Sequence, residues 1–374
     1  MQKTTQTFAV TFAICIFDFK LLLKIKINNR MPKKNIVTLK KIAQELGISI
    51  STVSRALNNH SDISSKTKKK VKNYAEKFNY VPNLFARGFR AHKTNIIGVI
   101  VPNISHYFTS TLLKGILEEA EVHGYKVIIS ESINNVKKQA DMLQTMNQFG
   151  VDGILLSLAR KTQEVDTILN MLEHIPLVLF DKVSTKVPCT QVVIDDEDAA
   201  FRAVEHLIHT GKKRIAIIKE TESSFTSEKR YLGYLRALRR YNLEIDDSII
   251  LSAEDISMHQ GKRLANILLS LQNKPDAVFA ITDGAAIGII KTLKKNNIKI
   301  PEEIAVVGFS NSSNSIIIEP KLTTIDQPGN KIGSVATKYL IDEINNDNDG
   351  ISKTIEIKTN LIVRGSSFKP LNIT

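Results

Sequence analysis

Residues 38–58, TLKKIAQELGISISTVSRALN, constrain this chain most tightly, because they specify two short helices and the turn between them. Thr38 carries a hydroxyl of the kind that accepts an orphan N–H at a helix start. Leu39, Ile42, Ala43 and Leu46 then recur at helical spacing on one face. Gly47 stands where a helix ends most cheaply in left-handed backbone. Ile48 plugs the corner, and Ser49 caps a second helix in which Val53, Ala56 and Leu57 face inward. The opposite face presents Ser51, Thr52, Ser54 and Arg55. Hydroxyls of this kind reach phosphates and base edges in a major groove, and a guanidinium binds guanine bidentately. Spacing alone also allows an ordinary helical hairpin with a polar face.

Charge narrows the choice. The formal net charge is +13, yet residues 31–93 hold 14 Lys/Arg against 3 Asp/Glu, and residues 94–374 hold 32 against 34. Taken with the five basic and one acidic residue of 1–30, this puts the whole excess around the two helices. It is the footprint of a phosphate-binding domain on a near-neutral body. The lysines at 66, 68, 69, 70 and 72 alone would read as a solvated helix face; beside this headpiece, phosphate contact is the better reading.

The longer string ISISTVSRALNNHSDISSKTKKKVKNYAEKFNYVPN resembles the headpiece of the LacI/GalR family of bacterial transcriptional regulators. The match runs from about Val37 to the C-terminus, and TVSRALN together with NYVPN carries it. The resemblance implies a homodimer that reads a pseudo-palindromic double-stranded DNA operator, under the control of a small-molecule effector. By position it assigns DNA contact to Thr38, Leu39, Ser49, Ile50, Ser51, Thr52, Ser54, Arg55, Asn58, Ser64, Thr67, Tyr80, Asn83, Ala86 and Phe89.

Taken in order, the first 30 residues contain an apolar run, Phe8 to Phe17, too short to span a bilayer and lacking a small-residue cleavage site. Met31 reads as a natural start seven residues before the first helix, with 1–30 an extension of doubtful status. Residues 31–80 form the DNA-binding domain, in which Ser64 caps a third helix through Phe78, with Val71, Tyr74, Ala75 and Phe78 packing inward. Residues 81–93 hold LFARGFR, helical in pattern but too short to be stable alone. The resemblance makes this a hinge helix, with Phe89 as a minor-groove wedge.

From residue 94 apolar strands alternate with helical stretches: 96–101, 125–130, 153–158, 176–180, 214–218, 276–281 and 304–309. This predicts parallel sheets with helices on both faces. HYFTS at 106–110 and SSFTS at 223–227 each follow the first strand of a series and open a helix, which suggests two similar lobes. The fold class is therefore α/β: an all-α headpiece and hinge, then a doubly wound core that the resemblance likens to periplasmic binding proteins. Lobe 1 is expected at about 95–194 plus 324–352, and lobe 2 at about 195–323 plus 353–374. A final strand is expected at 361–366, with no C-terminal tetramerising coil.

Ligands bind at the carboxyl ends of such strands. Position by position, the resemblance assigns effector contact to Asn103, Tyr107, Phe108, Asp181, Thr226, Arg230, Thr282, Asp283 and Ser310. Asp181 would hold hydroxyls and Arg230 would clamp the ligand. Where sugar-binding members often carry an acid after the strand at 304–309, this chain has Ser310, so no particular sugar is implied and a non-sugar effector stays open.

Other classes fit less well. No GxxxxGK[ST], HExxH or GxSxG motif is present, so nothing points to an enzyme. His206 and His209 lie three apart without a third ligand, and the acidic run at 195–198 reads as a helix start. Neither a metal nor a cofactor is expected. Two cysteines, Cys15 and Cys189, give no disulfide framework and suit a reducing cytoplasm without membrane attachment. A sequence-independent architectural DNA protein and a sugar-binding receptor are the remaining alternatives.

Overall fold

The computed structural model describes residues 37–80, 93–221 and 224–368. The chain falls into two compact units, Met1–Asn83 and Leu84–Thr374. The extension at 1–30 and the hinge residues Asn83, Ala86 and Phe89 lie outside the described residues.

The first unit contains three helices, α1 (Leu39–Leu46), α2 (Ile50–Leu57) and α3 (Ser65–Lys77). Each starts on the hydroxyl expected of it. Thr38 accepts from the Lys41 N–H, Ser49 from Thr52 and Ser64 from Thr67. Gly47 closes α1 at φ +63°, a conformation that costs glycine nothing. Ile42, Ala43, Val53, Ala56, Val71 and Ala75 form the core, with Leu39, Ile48 and Leu57 packed against it. Phe78 departs from expectation. It is exposed beyond the end of α3, where its ring tilts against Tyr74 at 4.6 Å and under the Lys77 ammonium. The residue is the C-cap, so the chain has already left the inward-facing helical repeat.

The second unit is two parallel-sheet lobes. Its elements are β1 (Ile96–Val101), α4 (Tyr107–Val122), β2 (Lys126–Glu131), α5 (Val136–Gln148), β3 (Gly153–Leu156), α6 (Asp166–Leu172), β4 (Leu177–Phe180) and β5 (Gln191–Val193). There follow α7 (Asp196–His209), β6 (Ile215–Glu220), α8 (Phe225–Arg240), β7 (Ile250–Ala253), α9 (Met258–Ser270), β8 (Ala277–Ala280) and α10 (Asp283–Lys295). The chain continues through β9 (Ala305–Phe309), β10 (Thr323–Asp326), α11 (Gly329–Asn345), β11 (Thr354–Glu356) and β12 (Asn360–Ile362). The first sheet runs β11-β5-β4-β3-β1-β2 and the second β12-β10-β9-β8-β6-β7. Every pairing is parallel except β12 on β10.

The chain crosses between lobes three times. The first crossing follows Val193, close to its expected place at Ile194. The other two lie a little later than predicted. Thr324 is inside β10 of the second lobe, so the second crossing comes after Asp326; Lys353 precedes β11 of the first lobe, so the third lies between Glu356 and Asn360. A strand must finish its ladder before the chain can leave the sheet, which displaces each crossing past the strand end. The last strand is also shorter than 361–366: beyond Ile362 the backbone turns so that Ser366 bonds Lys321 and Val306.

After the second crossing, α11 returns to pack on α4 at very short range. A Cβ at Gly115 would stand 1.9 Å from the Asn330 carbonyl oxygen, and one at Gly333 would stand 2.1 Å from that of Leu112. Only glycine permits backbones this close, so these two positions fix the helix pair that ties the returning segment to lobe 1. Among the described residues no helix is long and apolar enough to cross a membrane.

Candidate functional site

The headpiece presents the polar face of α2 to solvent. Ser51, Arg55 and Asn58 are exposed, Thr52 and Ser54 half-buried, while Val53 and Ala56 are sealed inside. Ser49 links the hydroxyls of Ser51 (2.7 Å) and Thr52 (2.8 Å) into one cluster at the start of the helix. Ile50 leaves an apolar side chain on the same surface, 45% exposed, of the sort that meets a thymine methyl. Arg55 pairs with Asp62 at 2.7 Å, but both are solvent-exposed, a situation in which ion pairs contribute little. The arginine is therefore cheap to release toward a base or phosphate. Thr38, Ser64 and Thr67 sit at the starts of α1 and α3, where free N–H groups suit phosphate oxygens. Leu39 and Tyr80 differ in kind: both rest partly buried against the core.

Between the lobes of the body lies a cavity of about 260 Å³. All nine effector residues expected from sequence line it: Asn103, Tyr107, Phe108, Asp181, Thr226, Arg230, Thr282, Asp283 and Ser310. Topology explains the convergence, since each follows the carboxyl end of a strand or opens the next helix.

Their environments differ. Asp181 follows β4 in left-handed backbone, φ +61°, and accepts a long bond of 3.3 Å from Ser157. Burial raises its carboxyl above the usual range, against the pull of Lys182 and Arg230. Asp283 is 2% exposed and each of its oxygens accepts one bond: the Ser312 N–H and the Thr324 hydroxyl donate to it at 2.6 Å. Burial raises this carboxyl too. Gly308 is obligatory beneath it, because a Cβ there would lie 2.5 Å from the Asp283 Oδ1. Thr282 caps α10 and donates to the Ile256 carbonyl at 2.7 Å. Ser310, at φ +117°, donates to Gln327 Oε1 at 2.7 Å. Asn103 is turned into its own loop, accepting from the Ser105 N–H. Phe108 packs against the core while Tyr107 stands 44% exposed.

Arg230 is the most constrained group. Its Nε donates to Asp196 at 2.7 Å, Nη1 donates to the Ile281 carbonyl at 2.7 Å, and the guanidinium lies 3.6 Å over the Phe309 ring. Asp196 is 3% exposed, and burial lifts its carboxyl to about 6 in spite of the arginine. The acidic run at 195–198 does open a helix, with Asp195 as its cap. Its second member serves a further purpose: it orients the arginine.

Known proteins share both units. Residues 38–83 match the family described as bacterial regulatory proteins, lacI family, and residues 94–364 match periplasmic binding proteins and the sugar binding domain of the LacI family. The chain belongs to the LacI family. It is a DNA-binding transcriptional regulator with an effector domain of the sugar-binding type. Two regulators resemble it along nearly their whole length. The NTD biosynthesis operon regulator NtdR of Bacillus subtilis (strain 168) is 33% identical, over 88% of this chain and 99% of its own. Catabolite control protein A of Priestia megaterium is 35% identical, over 83% and 93%. In fold, the lac repressor dimer bound to operator and the anti-inducer ONPF matches with a TM-score of 0.80 and 24% identity, covering 89% of this chain and 99% of that one.

The LacI-family cleft holds residues that sequence reasoning missed. His106, Arg160, Lys182, Glu220 and Gln327 also line it. His106 has its imidazole pKa lowered, first by burial and then by Lys182 and Arg160. Lys182 adjoins Asp181 in sequence and could have been reached from it. Arg160 lies in the turn after β3 in one lobe and Glu220 ends β6 in the other, and neither gives a local signal. His206 bonds Ser367 at 2.7 Å rather than pairing with His209, and no cluster of metal-ligating side chains is found among the described residues.

Proposed function

We propose that the protein is a cytoplasmic homodimeric repressor whose hold on a pseudo-palindromic operator is set by a small molecule, a sugar or sugar derivative, in the cleft between the lobes. One observation carries the effector reading: nine residues drawn from five segments of the chain and two lobes meet around one cavity. Polar groups lodged in an interlobe cavity are the usual signature of a small-molecule site. Asp181 and Thr226 would bind ligand hydroxyls, Arg230 would clamp from below, and Phe108 with Tyr107 would border a ring. Asp283 would shape the wall, held by the Ser312 N–H and the Thr324 hydroxyl, one on each oxygen.

On the DNA side, Ile50, Ser51, Thr52, Ser54, Arg55 and Asn58 would face the major groove, with Thr38, Ser64 and Thr67 on phosphates. Paired headpieces would read two half-sites one or more helical turns apart. Tyr80, Asn83, Ala86 and Phe89 belong to this reading through the hinge. The lac repressor, solved as a dimer on its operator, supplies the analogy of form. Coupling of roughly 1–3 kcal/mol between cleft and operator would change DNA affinity about 5- to 150-fold.

A thermal-shift screen of the full chain tests the effector reading, using sugars, sugar phosphates, uronic acids and nucleobases. A ligand at a hundred times its dissociation constant adds about 2.7 kcal/mol to the body. The expected hit lies among the carbohydrates, loses its shift in Asp181→Asn, and alters operator affinity. A hit confined to nucleobases would replace the sugar reading with stacking on Tyr107 and Phe108. Ligands that bind without altering operator affinity would defeat the regulatory reading.

A further inference from the structure

Arg160 stands in the turn after β3, in the first lobe, and Glu220 ends β6, in the second. Arg160 Nη2 lies 2.9 Å from Glu220 Oε1, with the two side chains 17% and 12% exposed. Its Nη1 donates to the main-chain carbonyl of Glu254, just past β7. One guanidinium from lobe 1 thus holds two separate strand ends of lobe 2. Glu220 is braced in turn, since Ser224 donates to its second carboxylate oxygen. The lobes also meet where Phe225, at the start of α8, packs against the apolar cluster of the first lobe.

We propose that Arg160 and Glu220 form a latch that closes the cleft from within, before any effector arrives. Charge-assisted pairs are the strong ones, and removing one partner of a half-buried pair leaves the other desolvated and unmatched. The latch therefore favours the closed arrangement in which residues of both lobes reach one cavity. A ligand that needs this arrangement binds in proportion to the fraction of molecules that already have it. Arg160 and Glu220 are thus positioning residues: they set the response of the cleft by setting its aperture. Arg160 itself lines the cavity, so the latch and the effector site share a wall.

The role in effector response rests on the function proposed above; the closure does not, and it is measured without ligand. Spin labels on cysteines introduced at the exposed positions Lys137 of α5 and Lys262 of α9 report lobe separation by pulsed electron–electron resonance. The full chain is used, with Cys15 and Cys189 replaced by serine and labelled protomers diluted in unlabelled ones. The expected result is one short, narrow distance distribution for the unsubstituted pair. R160E and E220R should each lengthen and broaden it, R160K should stay near the original, and the exchanged pair R160E/E220R should return to it. Restoration by the exchange is a result that a purely local packing role would not give. Unchanged distances in R160E and E220R, or an exchanged pair as open as either single variant, would overturn the latch. If a reversed charge prevents folding, as judged by circular dichroism, R160Q and E220Q carry the same test: unchanged distances in both would overturn it. A latch that behaves as stated while no ligand alters operator affinity would leave closure standing and remove the effector reading.

Discussion

Replacing Arg230 with methionine is expected to destabilise the body by about 3–5 kcal/mol and to abolish ligand binding in the cleft. The guanidinium is the only charged partner that Asp196 has among the described residues, and the acid is 3% exposed beneath the cavity floor. Removing one member of such a buried pair strands the other, which costs far more than the pair's net contribution. The lost stacking on Phe309 and the lost bond to the Ile281 carbonyl add to the effect. Urea denaturation of the variant measures it. R230M/D196L should recover much of the stability, because an apolar pair no longer leaves an unmatched charge, while ligand binding should stay absent. A loss under about 1 kcal/mol in R230M would mean that Asp196 relaxes to solvent or another partner, against its burial here.

The second large effect lies in the headpiece. Val53→Asp puts a carboxylate where the side chain is 0% exposed, in a core that counts six buried residues among the described residues. So small a core has little stability to lose, and an unpaired buried charge exceeds it. Operator binding should fall to the level of buffer controls in a fluorescence-anisotropy titration. The thermal transition of the body should stay in place, since the headpiece is a separate compact unit. A variant that kept its operator affinity would place the DNA-reading surface somewhere other than α2.

The headpiece was legible because its determinants are local. A hydroxyl at each helix start, a glycine at the αL position and an i, i+3, i+4 apolar pattern each act within one or two turns. Phe78 was misplaced because an aromatic at a helix end satisfies the pattern while the backbone has already turned away. In the body, continuous apolar runs exposed the buried central strands. The short strands β5, β7, β10 and β11, three or four residues each, left no comparable run, and β10 and β11 carry the second and third crossings past their inferred places. The cleft residues could be placed because the family resemblance assigns them by position, at strand ends that are fixed points of the fold. What escaped was pairing over distance. Asp196 and Arg230 are 34 positions apart, and the acid looks like any acid in the first turn of a helix, where negative charge is favourable on its own account. Arg160 and Glu220 are separated by a whole lobe crossing, and each alone looks like a solvated loop residue. Sequence periodicity reports which face a residue is on; it does not report which charge it meets.

On the function proposed above, α2 reads sequence rather than merely attaching to phosphate. The most direct measurement selects a duplex from a random library with the full chain, then compares its affinity with that of scrambled DNA across a salt series. For a specific regulator the ratio is expected to be about 10³–10⁷ at physiological salt. The selected site should be a pseudo-palindrome, and Arg55→Ala should relax preference at one base pair in each half-site. Affinities for selected and scrambled DNA that fall together with salt and differ by less than about tenfold would show binding through backbone charge alone. That result would contradict the account.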